Sequence, residues 1–92
     1  MTSYPLSYTA LCLNLGLRSP DDAQIDYLAS LLDAAAEELA DAGITIDESV
    51  SRERCLLTIY AAWLYRNRAS GEGKPAMLQR LMNNAKTRQA RA

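Results

Sequence analysis

Asp33, Glu37 and Asp41 follow one another at four-residue intervals, and Asp22 and Asp26 share that spacing upstream. In a helix such spacing aligns side chains on one face. Neighbouring carboxylates do general acid/base chemistry only where a cleft sets their pKa values apart. The residues between them argue against a cleft. Ile25, Leu28, Leu32, Ala35, Leu39 and Ala42 recur at intervals of 3, 4, 3, 4 and 3, the rhythm of a helix packed along one seam. The acids therefore ride the polar side of that helix, either as a solvated outer face or as a face held by basic residues of another molecule.

The other reactive residues are as sparse. Gly71-Glu72-Gly73-Lys74 has a phosphate-loop look but lacks the P-loop spacing and the preceding strand, so it reads as a flexible turn between helices. The chain has no His and two Cys, which leaves neither imidazole acid/base chemistry nor the usual soft-metal ligand sets. Cys12 and Cys55 form no Cys-x-x-Cys pair and sit in apolar sequence; both are expected to be reduced, buried thiols. Small helical enzymes of the chorismate mutase type gather arginines from a long early helix, whereas the long early helix here contains no Arg or Lys. No enzyme activity, no cofactor and no metal are expected.

The elements that position these residues are all helical. Pro5 to Asn14 is predicted to form a short first helix, with Ser3 as N-cap and Gly16 in the left-handed C′ position. Ser19-Pro20-Asp21-Asp22 supplies an N-cap hydroxyl, a proline at N1 and carboxylates at the positive helix end. The second helix is predicted to run from there to Ala42 and stop at Gly43. Gly43 to Asp47 is a connector with room for a brief extended stretch, and Asp47 or Ser49 caps a third helix reaching about Ala69. The middle of that helix, Cys55 to Tyr65, is apolar almost all round, so it is either central or covered by a neighbouring subunit. Pro75 starts a fourth helix whose stripe of Met77, Leu78, Leu81, Met82 and Ala85 lasts about ten residues. The expectation is an all-α bundle of about four helices, two long central ones and shorter terminal ones. It occupies residues 1–85, and residues 86–92 form a flexible basic tail.

Charge is divided along the chain. Met1 to Glu48 holds nine acids and one base, and Ser49 to Ala92 two acids and nine bases, within a net of −1. Such division argues about association, not fold. Opposite surfaces on one subunit favour head-to-tail contact, which yields rings or filaments. Arg52, Arg54, Arg66, Arg68, Lys74, Arg80, Lys86, Arg88 and Arg91 also form a potential nucleic-acid footprint. Against it stand the pI of about 5.3 and the absence of a helix-turn-helix pattern. No stretch approaches the roughly 20 apolar residues of a membrane span, and Met1 to Pro5 has no signal-peptide character, so a cytosolic chain without membrane contact is expected.

With the helices placed, two segments carry a family likeness. Thr58 to Arg68 (TIYAAWLYRNR) and Gly73 to Asn84 (GKPAMLQRLMNN) resemble the third helix and the following proline-started helix of the small head-tail connector (adaptor) proteins of tailed bacteriophages. Ser19-Pro20-Asp21-Asp22 and the helix after it are similar to that family's preceding helix. The likeness spans about Asp21 to Asn84. It implies a non-enzymatic helical bundle that forms a homo-oligomeric ring under the portal protein, extends the DNA channel and docks later neck or tail-completion proteins. DNA would pass through without sequence-specific binding, and the chain would reside at the virion's head-tail interface after assembly in the host cytoplasm. In such a ring, Asp33, Glu37 and Asp41 of one subunit would face Arg52, Arg54, Arg66 or Arg68 of the next, with Tyr60 and Trp63 supplying apolar contact. Acids turned to the lumen instead would repel DNA phosphates. Pro75 to Ala92 matches the extension that reaches the portal, which makes Arg80, Lys86, Arg88 and Arg91 candidate portal contacts. The alternative is a small DNA-binding or DNA-packaging accessory protein using the basic half.

Overall fold

A computed structural model describes residues 4–67 and 73–91. Its elements are four helices, α1 Pro5–Leu15, α2 Asp22–Asp41, α3 Ser51–Asn67 and α4 Ala76–Arg91, with no strand among the described residues. The all-α reading holds, and α3 is the central element: it packs against α1, α2 and α4, while α4 packs on α3 alone. That settles the choice left open for its apolar middle. Leu56, Leu57, Tyr60, Ala61 and Ala62 are buried within this chain, meeting Leu11 of α1, Leu28, Leu32, Ala35 and Leu39 of α2, and Leu78, Met82 and Ala85 of α4 in one core. Two positions of the α2 seam fall outside it, since Ile25 is 38% exposed and Ala42 half-buried.

The start of α2 follows local chemistry but shifts from its expected residue. The cap of α2 is Asp21, not Ser19: its carboxylate accepts from Gln24 N at 2.8 Å while Gln24 Oε1 accepts from Asp21 N at 3.0 Å, a reciprocal capping box. Pro20 therefore precedes the helix. The carboxylate outcompetes the serine because it adds favourable charge at the dipole's positive end and has Gln24 at N3 to complete the box. At the other ends, Gly16 (φ 74°) and Gly43 (φ 91°) take the left-handed conformation. Leu17 N donates to Cys12 O at 2.9 Å, and Ile44 N to Leu39 O at 2.8 Å, the six-to-one bond of a Schellman ending. The second ending drops Ile44, fully buried, beside Leu39.

α1 begins at Pro5, as predicted. Ser3 lies outside the described residues, and the N-cap, Tyr4, makes no side-chain cap bond. The cap comes from far along the chain: Glu48 Oε1 accepts from Leu6 N at 2.9 Å and Oε2 from Ser7 N at 3.4 Å. This carboxylate both satisfies orphan amides and ties α1 to the α2–α3 connector. Glu48→Ala is expected to lower the unfolding free energy by about 1–2 kcal/mol, measured by urea denaturation; no shift in the midpoint would remove Glu48 from this role.

α3 starts at Ser51, after a turn closed by Val50 N to Asp47 O at 3.0 Å. Asp47 and Ser49, the two cap candidates, bond to each other instead: Ser49 N and Oγ donate to Asp47 Oδ1 at 3.0 and 2.6 Å. The Ser49 hydroxyl holds the Asp47 carboxyl below the usual carboxylate range.

The C-terminal segment corrects the sequence reading. α4 does not end near Ala85 with a mobile tail; it continues through Arg91, and at 16 residues it nearly matches the 17 of α3. Gln89 explains the extension. Its Nε2 donates to Thr45 O at 2.7 Å, and Thr45 N donates to its Oε1 at 2.9 Å. The side-chain amide serves both backbone groups of a connector residue, as a neighbouring strand would.

The cysteines also depart from expectation. Both are free, but Cys12 is half-buried and Cys55 exposed. Apolar neighbours in sequence did not bury Cys55 because it lies on a strip of α3 that α1 and α4 leave uncovered.

Candidate assembly surface

α2 carries six acidic and no basic side chains, and α4 four basic and no acidic ones. The two helices do not pack on each other, so α3 separates an acidic element from a basic one. Asp22, Asp26, Glu37 and Asp41 are exposed and Asp33 is half-buried. Across from them, Arg52, Arg80 and Lys86 are exposed and Arg88 half-buried, and Arg91 closes α4. Arg68 lies outside the described residues, as do Gly71 and Glu72 of the expected turn.

Two of the arginines assigned to a neighbouring subunit are engaged within the chain. Arg54 Nη1 donates to Glu48 O at 2.9 Å, and Arg66 Nη2 donates to Asn14 O at 3.1 Å. Arg66 thereby places a cation at the negative end of α1, whose last turn holds no base of its own.

The aromatic pair is placed differently from its expected role. Tyr60, read as apolar contact surface for a neighbour, is 3% exposed and belongs to the core. Its ring meets Trp63 edge-on at 5.9 Å, and Lys74 Nζ sits over both rings, 5.6 Å from Tyr60 and 5.4 Å from Trp63. A cation over two aromatic faces contributes about 0.5–2 kcal/mol and pins the segment leading into α4. Trp63 stays half-buried at the edge of this cluster. Sequence reasoning missed Lys74 as a structural residue, because only the folded chain brings it over rings 11 and more positions upstream.

Burial pushes the Tyr60 hydroxyl above the ordinary tyrosine range, and its hydrogen bond with Glu38 and that carboxylate's charge push the same way. The unfolded chain loses this proton first, so the contribution is complete below about pH 10 and is lost as pH rises toward the folded value. Tyr60→Phe is expected to flatten the fall in urea midpoint above that pH; an unchanged alkaline profile would assign the fall to another group.

Among the described residues no group of three or more His, Cys, Asp and Glu side chains is arranged to hold a metal ion, and no helix is long and apolar enough to cross a membrane. What the arrangement offers is surface: a row of carboxylates on one helix, guanidinium and ammonium groups beyond the central helix, and shallow grooves between. Comparison of the chain with protein-family models, curated proteins and solved structures finds no match.

Proposed function

We propose that this chain is a structural subunit of the head-tail connector type, assembling head to tail into a ring that lines a DNA passage under a portal and receives later neck or tail proteins. The observation that carries this reading is the separation of an all-acidic α2 from an all-basic α4 by the central α3. Subunits with unlike faces on unlike sides meet heterologously, and a heterologous contact whose rotation closes makes a ring. Exposed ion pairs contribute only about 0–1 kcal/mol each, so charge sets orientation here while apolar surface supplies affinity. The likeness of Thr58 to Arg68 and of Gly73 to Asn84 to the connector family names the setting. Arg80, Lys86, Arg88 and Arg91 on α4 are the candidate portal contacts.

Co-sedimentation with purified portal rings tests the proposal, with duplex DNA titrated in parallel across salt concentrations. Retention on portal rings, with no DNA retardation at physiological salt, is the expected pair of results. A DNA complex whose affinity falls steeply with salt, without portal retention, would replace the connector by a small DNA-binding or packaging accessory protein.

A further inference from the structure

α1 and α4 both pack on α3 but not on each other, and the strip of α3 between them stays open. It shows exposed Arg52 and Cys55 and half-buried Ile59, at i, i+3 and i+7, the spacing of one helix face. Two grooves open along this strip and share Cys55. One, about 120 Å³, lies toward α4 and is lined also by Arg52, Leu56, Leu81 and Arg88. The other, about 340 Å³, lies toward α1 and reaches Ala10, Asn14 and Ile59. On the α4 wall, Met77, Leu81 and Arg88 fall on one side at i, i+4 and i+11, with Met77 56% exposed. The result is a trough with an apolar and thiol floor, guanidinium groups at Arg52, Arg54 and Arg88, and no carboxylate among its lining residues.

We propose that this trough receives the outer face of α2 from a second copy of the chain. That face presents Asp26, Ser30, Ala34, Glu37 and Asp41, all exposed, within about 80° of the helix circumference. Its small residues, Ser30 and Ala34, let the helix lie close to the floor, and its acids meet the arginines of the rim. The same chain's α2 cannot serve, because it packs on α1 and α3 and makes no contact with α4. The contact is therefore heterologous and repeats from copy to copy. Pairing of α2 with α2, or trough with trough, opposes like charges, which selects the head-to-tail arrangement. The inference rests on the proposed self-assembly and names its two faces. Of the bases expected to meet a neighbour it keeps Arg52 and adds Arg88, while Arg54, which also lines the trough, and Arg66 are engaged within the chain.

A charge-swap mixture tests it by sedimentation velocity. One variant carries Glu37→Lys and Asp41→Lys, the other Arg52→Glu and Arg88→Glu. Each alone is expected to self-associate at least about tenfold more weakly than the unaltered chain, while an equimolar mixture restores association, because each variant's α2 then matches the other's trough. Restoration also requires that both variants fold. A second readout needs no charge change: in a Cys12→Ser chain, alkylation of Cys55 by a maleimide should slow about tenfold on assembly, as the thiol passes under a neighbour's helix. An unaltered chain that stays monomeric, a mixture that fails to associate, or Cys55 equally reactive in assembled and dispersed chain overturns the inference. Protection of Cys55 by duplex DNA rather than by self-association overturns it too, in favour of a nucleic-acid groove. Rings that form on a portal with Cys55 open would leave the connector reading standing and remove only this contact. Copies that associate through the trough yet ignore portal rings would do the reverse.

Discussion

Leu57→Ala is expected to cost about 3 kcal/mol of unfolding free energy, within the 2–5 kcal/mol typical of a buried leucine emptied in a packed core. Leu57 is fully buried on α3, the helix that all others contact, so the cavity opens in the shared core. For a 92-residue chain whose total stability is of the order of 5–15 kcal/mol, that is a large fraction. Urea denaturation with an unchanged m-value reads it. The control is Leu13→Ala, since Leu13 is 78% exposed and its loss should stay within about 0.5 kcal/mol. Equal effects at the two positions would contradict the placement of the core.

Deleting the chain from Lys86 onward has the second largest expected effect on stability, about 2 kcal/mol. The deletion removes both hydrogen bonds between Gln89 and Thr45, each contributing roughly 0.5–1.5 kcal/mol net. Gln89→Ala should reproduce about half of the loss. A mobile tail would predict no change in midpoint, so the deletion separates the two descriptions of this segment. Because it alters the fold as well as the basic surface, portal binding is better probed by Arg80→Ala with Lys86→Ala, two exposed positions outside the core.

The contrast between what was readable along the chain and what was not has a common cause. The helix ends at Gly16 and Gly43 could be read because a left-handed residue is a local demand that glycine meets best. The seam of α2 could be read because its spacing repeats. The cap at Asp21 was also present locally, as Asp21 with Gln24 three residues on, but the serine and proline before it made an equally familiar pattern. The bonds from Glu48 to Leu6 and Ser7 span 41 and 42 residues, and those from Gln89 to Thr45 span 44. No periodicity announces them, because the acceptors and donors on one side are backbone groups that every residue has. The candidate surface follows the same division. Its two charge signs are evident from residue counts, whereas the internal use of Arg54 and Arg66 is not, since both donate to main-chain carbonyls. Cys55 was misplaced for a related reason: hydrophobic neighbours report that a helix is buried, not which of its strips remains open.

The acid face holds a further consequence for a DNA passage. Exposed carboxylates at Asp22, Asp26, Glu37 and Asp41 that are engaged by a neighbour's arginines cannot also line a lumen, so the proposed contact and a DNA-repelling α2 are alternatives for one surface. Salt distinguishes them. An assembly oriented by ion pairs weakens as ionic strength rises through about 0.1–0.5 M, where the screening length falls below 10 Å, while one held by apolar contact with its acids facing water does not.

Native mass spectrometry of the unaltered chain over a rising concentration series, alone and with portal rings present, is the measurement closest to the proposed head-to-tail closure. One dominant closed stoichiometry is expected, replaced by monomer when Glu37 and Asp41 are both changed to Lys. A chain that remains monomeric under every condition overturns closure, and the same closed assembly after that reversal removes α2 from the contact.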